Sequence, residues 1–521
     1  MKFSEKAKFF LAGMITTAII ATSLTAYTMS MRKTITVDYK DIKIVVDGKL
    51  IDPRDGNGRK VEPFIYEGTT YLPVRAVSEA LGKYVRWDGD TYTVQILSNP
   101  IEDNERNKYE TVLDVWIMPN SQQPIEDFIK TASPFLQDNP DIGLNVSIID
   151  WGSAWTRLME ASLTGEEAPD ITQLGTMWVA TFSDRGLLAD ITEDISWDEF
   201  HPQTLGSTGI AREKGKFAVP WFADTRALFY RIDACEKAGV DPTKDFQTWD
   251  SFKEALKKLN NVEINGKKLS ALGMPGKNDW NVVHNYAPWI YGAGGSFLNL
   301  DFTKSALSSQ DTFDGIKFYS ELAFEGLMDK EALEKDTNSI ETAFINGDYA
   351  ISIMGPWNIN TLEKNKNNNE NALIDKIGVA ILPKGPKGRF AYLGGSSLAV
   401  VNSSDKKEEA VELLKWLTGK EAQVEYSKTT GNLPVVKSAY EDPWIKDNRL
   451  RKVFADQMNF AIEYPSIPAW PFMESYLQMA LSEVWDNVMQ VNGEYSPDKT
   501  MEALKQSERQ INMVIEEHNE F

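Results

Sequence analysis

Between residues 111 and 174, strand-like and helix-like apolar patterns alternate, and this alternation restricts the fold more than any other feature. TVLDVWIM (111–118) is a continuous apolar run. PIEDFIKTASPFLQDNP (124–140) carries Ile125, Phe128, Ile129 and Phe135 at helical spacing. GLNVSIIDW (143–151) is a second strand, and WTRLMEASLTGEEAPDITQL (155–174) is a helix, a turn and a third strand. Strand–helix–strand repeats imply parallel pairing through right-handed crossovers. In open α/β sheets ligands bind beyond the carboxyl ends of strands, which places Trp151 and the segment Gly175–Trp178 beside a potential cleft.

The chain has 521 residues, more than a single core of roughly 250–300 residues can organise. Its net charge of −21 argues against nucleic acid or an anionic membrane face as partner. The single cysteine, Cys235, permits no internal disulfide and no thiolate cluster. His201, His284 and His518 share no metal-binding spacing, so neither a metal nor a cofactor is expected.

Lys2, Lys6 and Lys8 precede the apolar run FFLAGMITTAIIATSLTAY (9–27), an export pattern. Residues 1–31 therefore read as a cleaved signal peptide or an uncleaved membrane anchor, with the rest of the chain extracellular at the cell surface. Residues 34–98 read as a small α+β domain: paired strands around Asp47-Gly48, then strand, turn at Glu67-Gly68, strand, the helix RAVSEALG, strand, turn at Gly89-Asp90, strand. YEGTTYLPVRAVSEALG followed by VRWDGDTYTV resembles the copper amine oxidase N-terminal-like, or stalk, domain of bacterial surface proteins. No His or Cys lies in residues 1–100, so the resemblance implies a spacer rather than copper chemistry. Residues 99–109 are polar and read as a linker.

Further segments follow in order: APDITQL, FSDRGLLADIT, GKFAVPWFADTRALFYRIDACEKAGV, TWDSFKEALKKL, YGAGGSFL, AFINGDYAISIMGPWNI, IGVAILPKGP, YLGGSSLAV, KKEEAVELLKWLTGKEAQVEYSKTTGNLPV and IPAWPFMESYLQMALSEVW. This series resembles the carbohydrate-type extracellular solute-binding proteins of ABC importers, the group that includes maltodextrin-binding proteins. The resemblance implies a two-lobed, hinged α/β clamp over 110–521, with lobe 1 at about 110–222 and 378–428 and lobe 2 at about 223–377 and 429–521. It also implies a monomer that captures a di- or oligosaccharide and delivers it to permease subunits, without catalysis.

Sugars stack their C–H faces on aromatic rings and bond their hydroxyls to carboxylates and amides. Trp357 matches the stacking tryptophan of the family's Gly-Pro-Trp segment, and Trp470, in IPAW, resembles its second stacking aromatic. Asp224 stands where maltodextrin binders carry a sugar-binding acid. Asn278, Asp279 and Trp280 form a polar–aromatic triplet after the strand-like LSALGMP; Trp178 and Trp221 are wall candidates, and Gly395 would let backbone approach a ligand. Trp249 is expected in the core beside the helix cap Thr248. Met177-Trp178 replaces the Asp-Arg of the maltodextrin group, which points to a sugar other than maltose. The residues also leave room for a non-sugar solute in the same clamp, for a glycoside-active enzyme using paired carboxylates, and for an attachment scaffold. No GxSxG, HExxH or phosphate-loop motif is present.

Overall fold

A computed structural model describes residues 36–519, less short stretches of which 51–60 and 98–107 are the longest. The N-terminal apolar run lies outside the described residues, as does part of the helix expected over RAVSEALG; among the described residues no helix is long and apolar enough to cross a membrane. The chain divides into two compact units, 1–98 and 99–521. The first unit holds three antiparallel strand pairs, Val45–Val46 with Lys49–Leu50, Phe64–Tyr66 with Thr69–Tyr71, and Tyr84–Asp88 with Thr93–Leu97. Gly68 takes φ +80° in the turn of the second pair, a conformation that favours glycine.

The second unit is α/β. Its first strands and helices are β1 (Thr111–Ile117), α1 (Pro124–Asp138), β2 (Ile142–Ile148), α2 (Trp151–Thr164), β3 (Ile171–Gly175), β4 (Val219–Thr225) and β5 (Ala227–Arg231). Then come β6 (Ser270–Gly273), α3 (Val282–Ala293), α4 (Thr337–Ile345), β7 (Tyr349–Met354), α5 (Trp357–Asn368), β8 (Ile377–Ala380), β9 (Ala391–Val400) and α6 (Trp470–Val488). The first sheet has the order β4–β9–β3–β1–β2, and the second β6–β7–β5–β8. Helix α1 shows how the pattern dictates the layer. Pro124 opens it, and Ile125, Phe128, Ala132 and Phe135 are buried along one stripe. Each large side chain buried contributes roughly 1.5–3 kcal/mol. The helix over Trp249–Leu259 begins with the expected cap: Thr248 accepts from the Ser251 N–H, the Ser251 hydroxyl accepts from the Thr248 N–H, and Trp249 is buried.

The chain leaves the first sheet at Thr225 and enters the second at Ala227, with Arg226 alone between them. It returns at Ala391, because β8 still pairs with β5. The return crossing is therefore 381–390, later than the expected 378. The first lobe also extends past 428: Leu433 bridges to Ala223 and Val436 to Phe200. In the first sheet β1, β2 and β3 are parallel, and β9 is antiparallel to β3 and β4, so β4 ends on the same side as β1–β3. In the second sheet β5 begins where β6, β7 and β8 end. Carboxyl ends from both sheets thus meet at the crossings.

Candidate functional site

Asp224 lies at the end of β4 opposite Gly394, and Arg226 follows at the crossing. The Arg226 guanidinium pairs with Asp224 at 2.5 Å and lies over the Trp357 ring, 4.5 Å from its centroid. Trp357 opens α5 directly after β7, the position that its Gly-Pro-Trp context implies. Its Nε1–H donates to both carboxylate oxygens of Glu341, on α4, at 3.2 Å, and the Asn358 side-chain amide donates to Glu341 at 2.8 Å. Gly355 leaves room for both side chains: a Cβ there would stand 2.2 Å from the Trp357 ring and 2.6 Å from the Arg226 Nη1, so a larger residue would displace them. Burial pushes the Asp224 carboxyl up to about 6, against the pull of Arg226 and with the Glu341 charge adding to the rise. Burial also raises Glu341, opposed by its donors Asn358 and Trp357 and by Arg226.

Beside this cluster is an aromatic shelf. The His284 ring, on α3, stacks on Tyr392 at 4.0 Å, and its Nδ1 is 2.8 Å from the Tyr464 hydroxyl. Tyr464 stacks on Trp470 at 4.4 Å, and Trp280 meets His284 edge-on. Burial, with Arg226 nearby, pushes His284 down to about 3, so the imidazole is neutral. Glu474, in the second turn of α6, is half-buried, and desolvation raises its carboxyl to about 7. The hydroxyls of Tyr392 and Tyr464 both lie within electrostatic reach of Glu474 and Arg226.

A third cluster joins the lobes. Trp178 meets Trp151 and Trp155 edge-on at 5.7 and 5.5 Å, and Trp155 meets Phe472 of α6. The Thr181 hydroxyl donates to the Pro468 carbonyl at 2.9 Å. A cavity of about 860 Å³ lies away from Asp224 and Trp357, lined among others by Arg212, Lys216, Arg389, Glu463 and Tyr464.

Of the residues singled out in the sequence, Asp224 and Trp357 come together through Arg226. Trp178 sits where the lobes touch, and Trp280 is 66% exposed. Others are occupied by structure. Trp221 is fully buried, stacked on Tyr426 at 4.4 Å and edge-on to Phe128, so it belongs to the first lobe's core rather than to a wall. Trp470 is also fully buried; it backs Tyr464 and offers no open face. Asp279 is buried, and its oxygens accept the backbone N–H groups of Asn281 (2.7 Å) and Thr337 (2.5 Å), anchoring the starts of α3 and α4. Gly395 has φ +130°, and a Cβ there would fall 2.0 Å from the Phe222 carbonyl oxygen, so the close packing of β9 on β4 accounts for glycine at this position. Asn278 lies outside the described residues.

Arg226, Glu341, His284, Tyr392, Tyr464 and Glu474 were not singled out from sequence. Arg226 had a signal, two residues after Asp224 in ADTR; the other five come from segments far apart in the chain.

Two α/β lobes with facing strand ends, joined at short crossings, define a solute-binding clamp. The chain belongs to the bacterial extracellular solute-binding proteins, whose family pattern matches residues 130–453, while residues 54–102 match the copper amine oxidase N-terminal domain. A putative binding protein of Brucella abortus is 27% identical over 364 residues, 69% of this chain and 84% of that protein. The maltotriose-binding protein of Pyrococcus abyssi is 24% identical over 382 residues, 71% of this chain and 76% of its own. The sugar-binding protein MalE of Xanthomonas citri shares the fold, with a TM-score of 0.67 at 21% identity over 78% of this chain and 98% of that one.

Proposed function

We propose that this protein captures a di- or oligosaccharide between its lobes and delivers it to the permease of an ABC importer. The observation that carries the reading is the convergence of Trp357, Asp224, Arg226 and Glu341 at the strand ends of both sheets. An indole next to fixed carboxylates meets both surfaces of a sugar, the apolar C–H face and the hydroxyl edge. The maltotriose and MalE relatives carry sugar names in keeping with this. The crossings at Arg226 and 381–390 serve as hinges, and ligand contacts to both lobes favour closure. In this reading the N-terminal segment is a signal or an anchor, the 34–98 unit is a spacer, and the receptor works as a monomer without catalysis.

A thermal-shift screen of the purified protein against di- and oligosaccharides tests the proposal. A ligand at about 100 times its dissociation constant adds roughly 2.7 kcal/mol of stability. One sugar class giving a clear shift is the expected result. A flat panel, with a shift from a non-sugar solute instead, overturns it.

A further inference from the structure

We infer that the cavity at the return crossing is a second binding site, which takes a small multivalent anion through carboxylate or phosphate oxygens. This goes beyond the sugar-capture reading and does not depend on it. The cavity, of about 860 Å³, draws its walls from both lobes and from the crossing between them. Residues from 202–216 line it from the first lobe, Tyr291 and Phe302 from the second, Arg389 and Phe390 from the crossing, and 459–466 close it. Four of the lining residues are cations, Arg212, Lys214, Lys216 and Arg389, and two are acids, Glu213 and Glu463. That balance reverses the chain's own, whose net charge is −21.

Among the described residues none of these four cations forms an ion pair. Arg212 donates to the Leu300 carbonyl, and Lys216 to the Thr208 hydroxyl at 3.1 Å. Arg389 donates to the Leu382 carbonyl and to the backbone and side-chain oxygens of Gln247. All these acceptors are neutral, and each cation keeps N–H groups to spare, since an arginine carries five and a lysine three. Aromatic rings hold the three in place: Arg212 lies over Phe302 at 5.0 Å, Lys216 over Trp197 at 4.5 Å and Arg389 over Phe460 at 5.7 Å. Lys216 and Arg389 are half-buried, and desolvation lowers both from their ordinary values. They have given up water without gaining a carboxylate. The acids nearby do not fill that role. Asp301 acts on Arg212 only at a distance, and Glu213 is exposed beside the exposed Lys214. Glu463 is bonded to the Ser207 hydroxyl at 2.6 Å, and burial pushes its carboxyl up to about 7.

A charge withdrawn from water needs a counter-charge as well as hydrogen bonds. An anion supplies both, and guanidinium groups bind carboxylate and phosphate through paired, charge-assisted bonds. A neutral solute supplies acceptors alone.

The test is a calorimetric titration of the full chain at pH 7 and low ionic strength with citrate, succinate and inorganic phosphate, and with succinamide as the uncharged match. At least one anion should bind saturably and one-to-one, and succinamide should not bind. Citrate or succinate binding marks a carboxylate ligand, and phosphate alone a phosphate ligand. Removing two charges together, R212Q with K216Q, should weaken the binding about ten-fold or more, at least the loss of one charge-assisted bond. Arg212 is exposed, and glutamine at 216 still offers a donor near Thr208, so the fold is retained. A folded Trp357→Ala variant should bind the anion as the native protein does, because the cavity is not the cleft. Saturation by no anion, equal binding of succinamide, unchanged affinity in R212Q with K216Q, or loss of binding in Trp357→Ala overturns the inference and leaves sugar capture standing. Anion binding by a protein that binds no saccharide overturns sugar capture alone.

Discussion

Replacing Glu474 by glutamine should stabilise the unliganded protein, and by more at alkaline pH than at acid pH. Desolvation raises this carboxyl from 4.5 to about 7. The folded state therefore holds the proton more tightly than the unfolded state. The stability linked to Glu474 is fully present below pH 4.5 and is lost as the pH rises through about 7. At about 1.4 kcal/mol per pH unit the loss is about 1.4 kcal/mol at pH 5.5 and about 3 kcal/mol at pH 8.5. Glu474 keeps some contact with solvent, which makes these values ceilings. Glutamine has the same shape and no charge, so it escapes the loss. Urea unfolding of both proteins at the two pH values gives the comparison, with pH 5.5 chosen to stay above the isoelectric point of about 4.8. The variant's advantage should roughly double between them. An advantage that is absent, or equal at both pH values, refutes the desolvation argument.

Trp470→Ala should cost about 3–5 kcal/mol in urea unfolding, the usual range for a buried aromatic truncated to Ala. Gly395→Ala should cost more than about 2 kcal/mol by the same assay, because a positive φ and a 2.0 Å contact with the Phe222 carbonyl add together. Asp279→Ala should cost about 2–6 kcal/mol, since two backbone N–H groups each lose a charged acceptor at about 1–3 kcal/mol.

How far the molecule is legible in its sequence differs by scale. The strands and helices over 111–174 follow from unbroken apolar runs and 3.6-residue spacing, which act locally. The first crossing stands out because ADTR interrupts two apolar strands. The return crossing does not, since IGVA is as apolar as a strand of either sheet. Trp470 carried a signal that its turn-like context obscured. With Met473 and Leu477 it keeps the i, i+3, i+7 spacing of a buried helix face. Trp221 lies in a strand buried on both faces, where alternation gives no inward or outward sense. Asp279 looked like a ligand acid because nothing local announces that it binds the first N–H of a helix 58 residues away. The cluster of Glu341, His284, Tyr392, Tyr464 and Glu474 depends on long-range packing, so single positions in the sequence could not reveal it.

In the proposed function a sugar is held between the lobes against Trp357. The direct measurement is a calorimetric titration of the sugar identified by screening into the native protein and into a folded Trp357→Ala variant. The account predicts saturable one-to-one binding by the native protein. In the variant it predicts a loss of at least ten-fold, more than the ~0.5–1.5 kcal/mol of an aromatic pair because apolar burial is lost as well. Equal affinity in the two proteins would contradict the account.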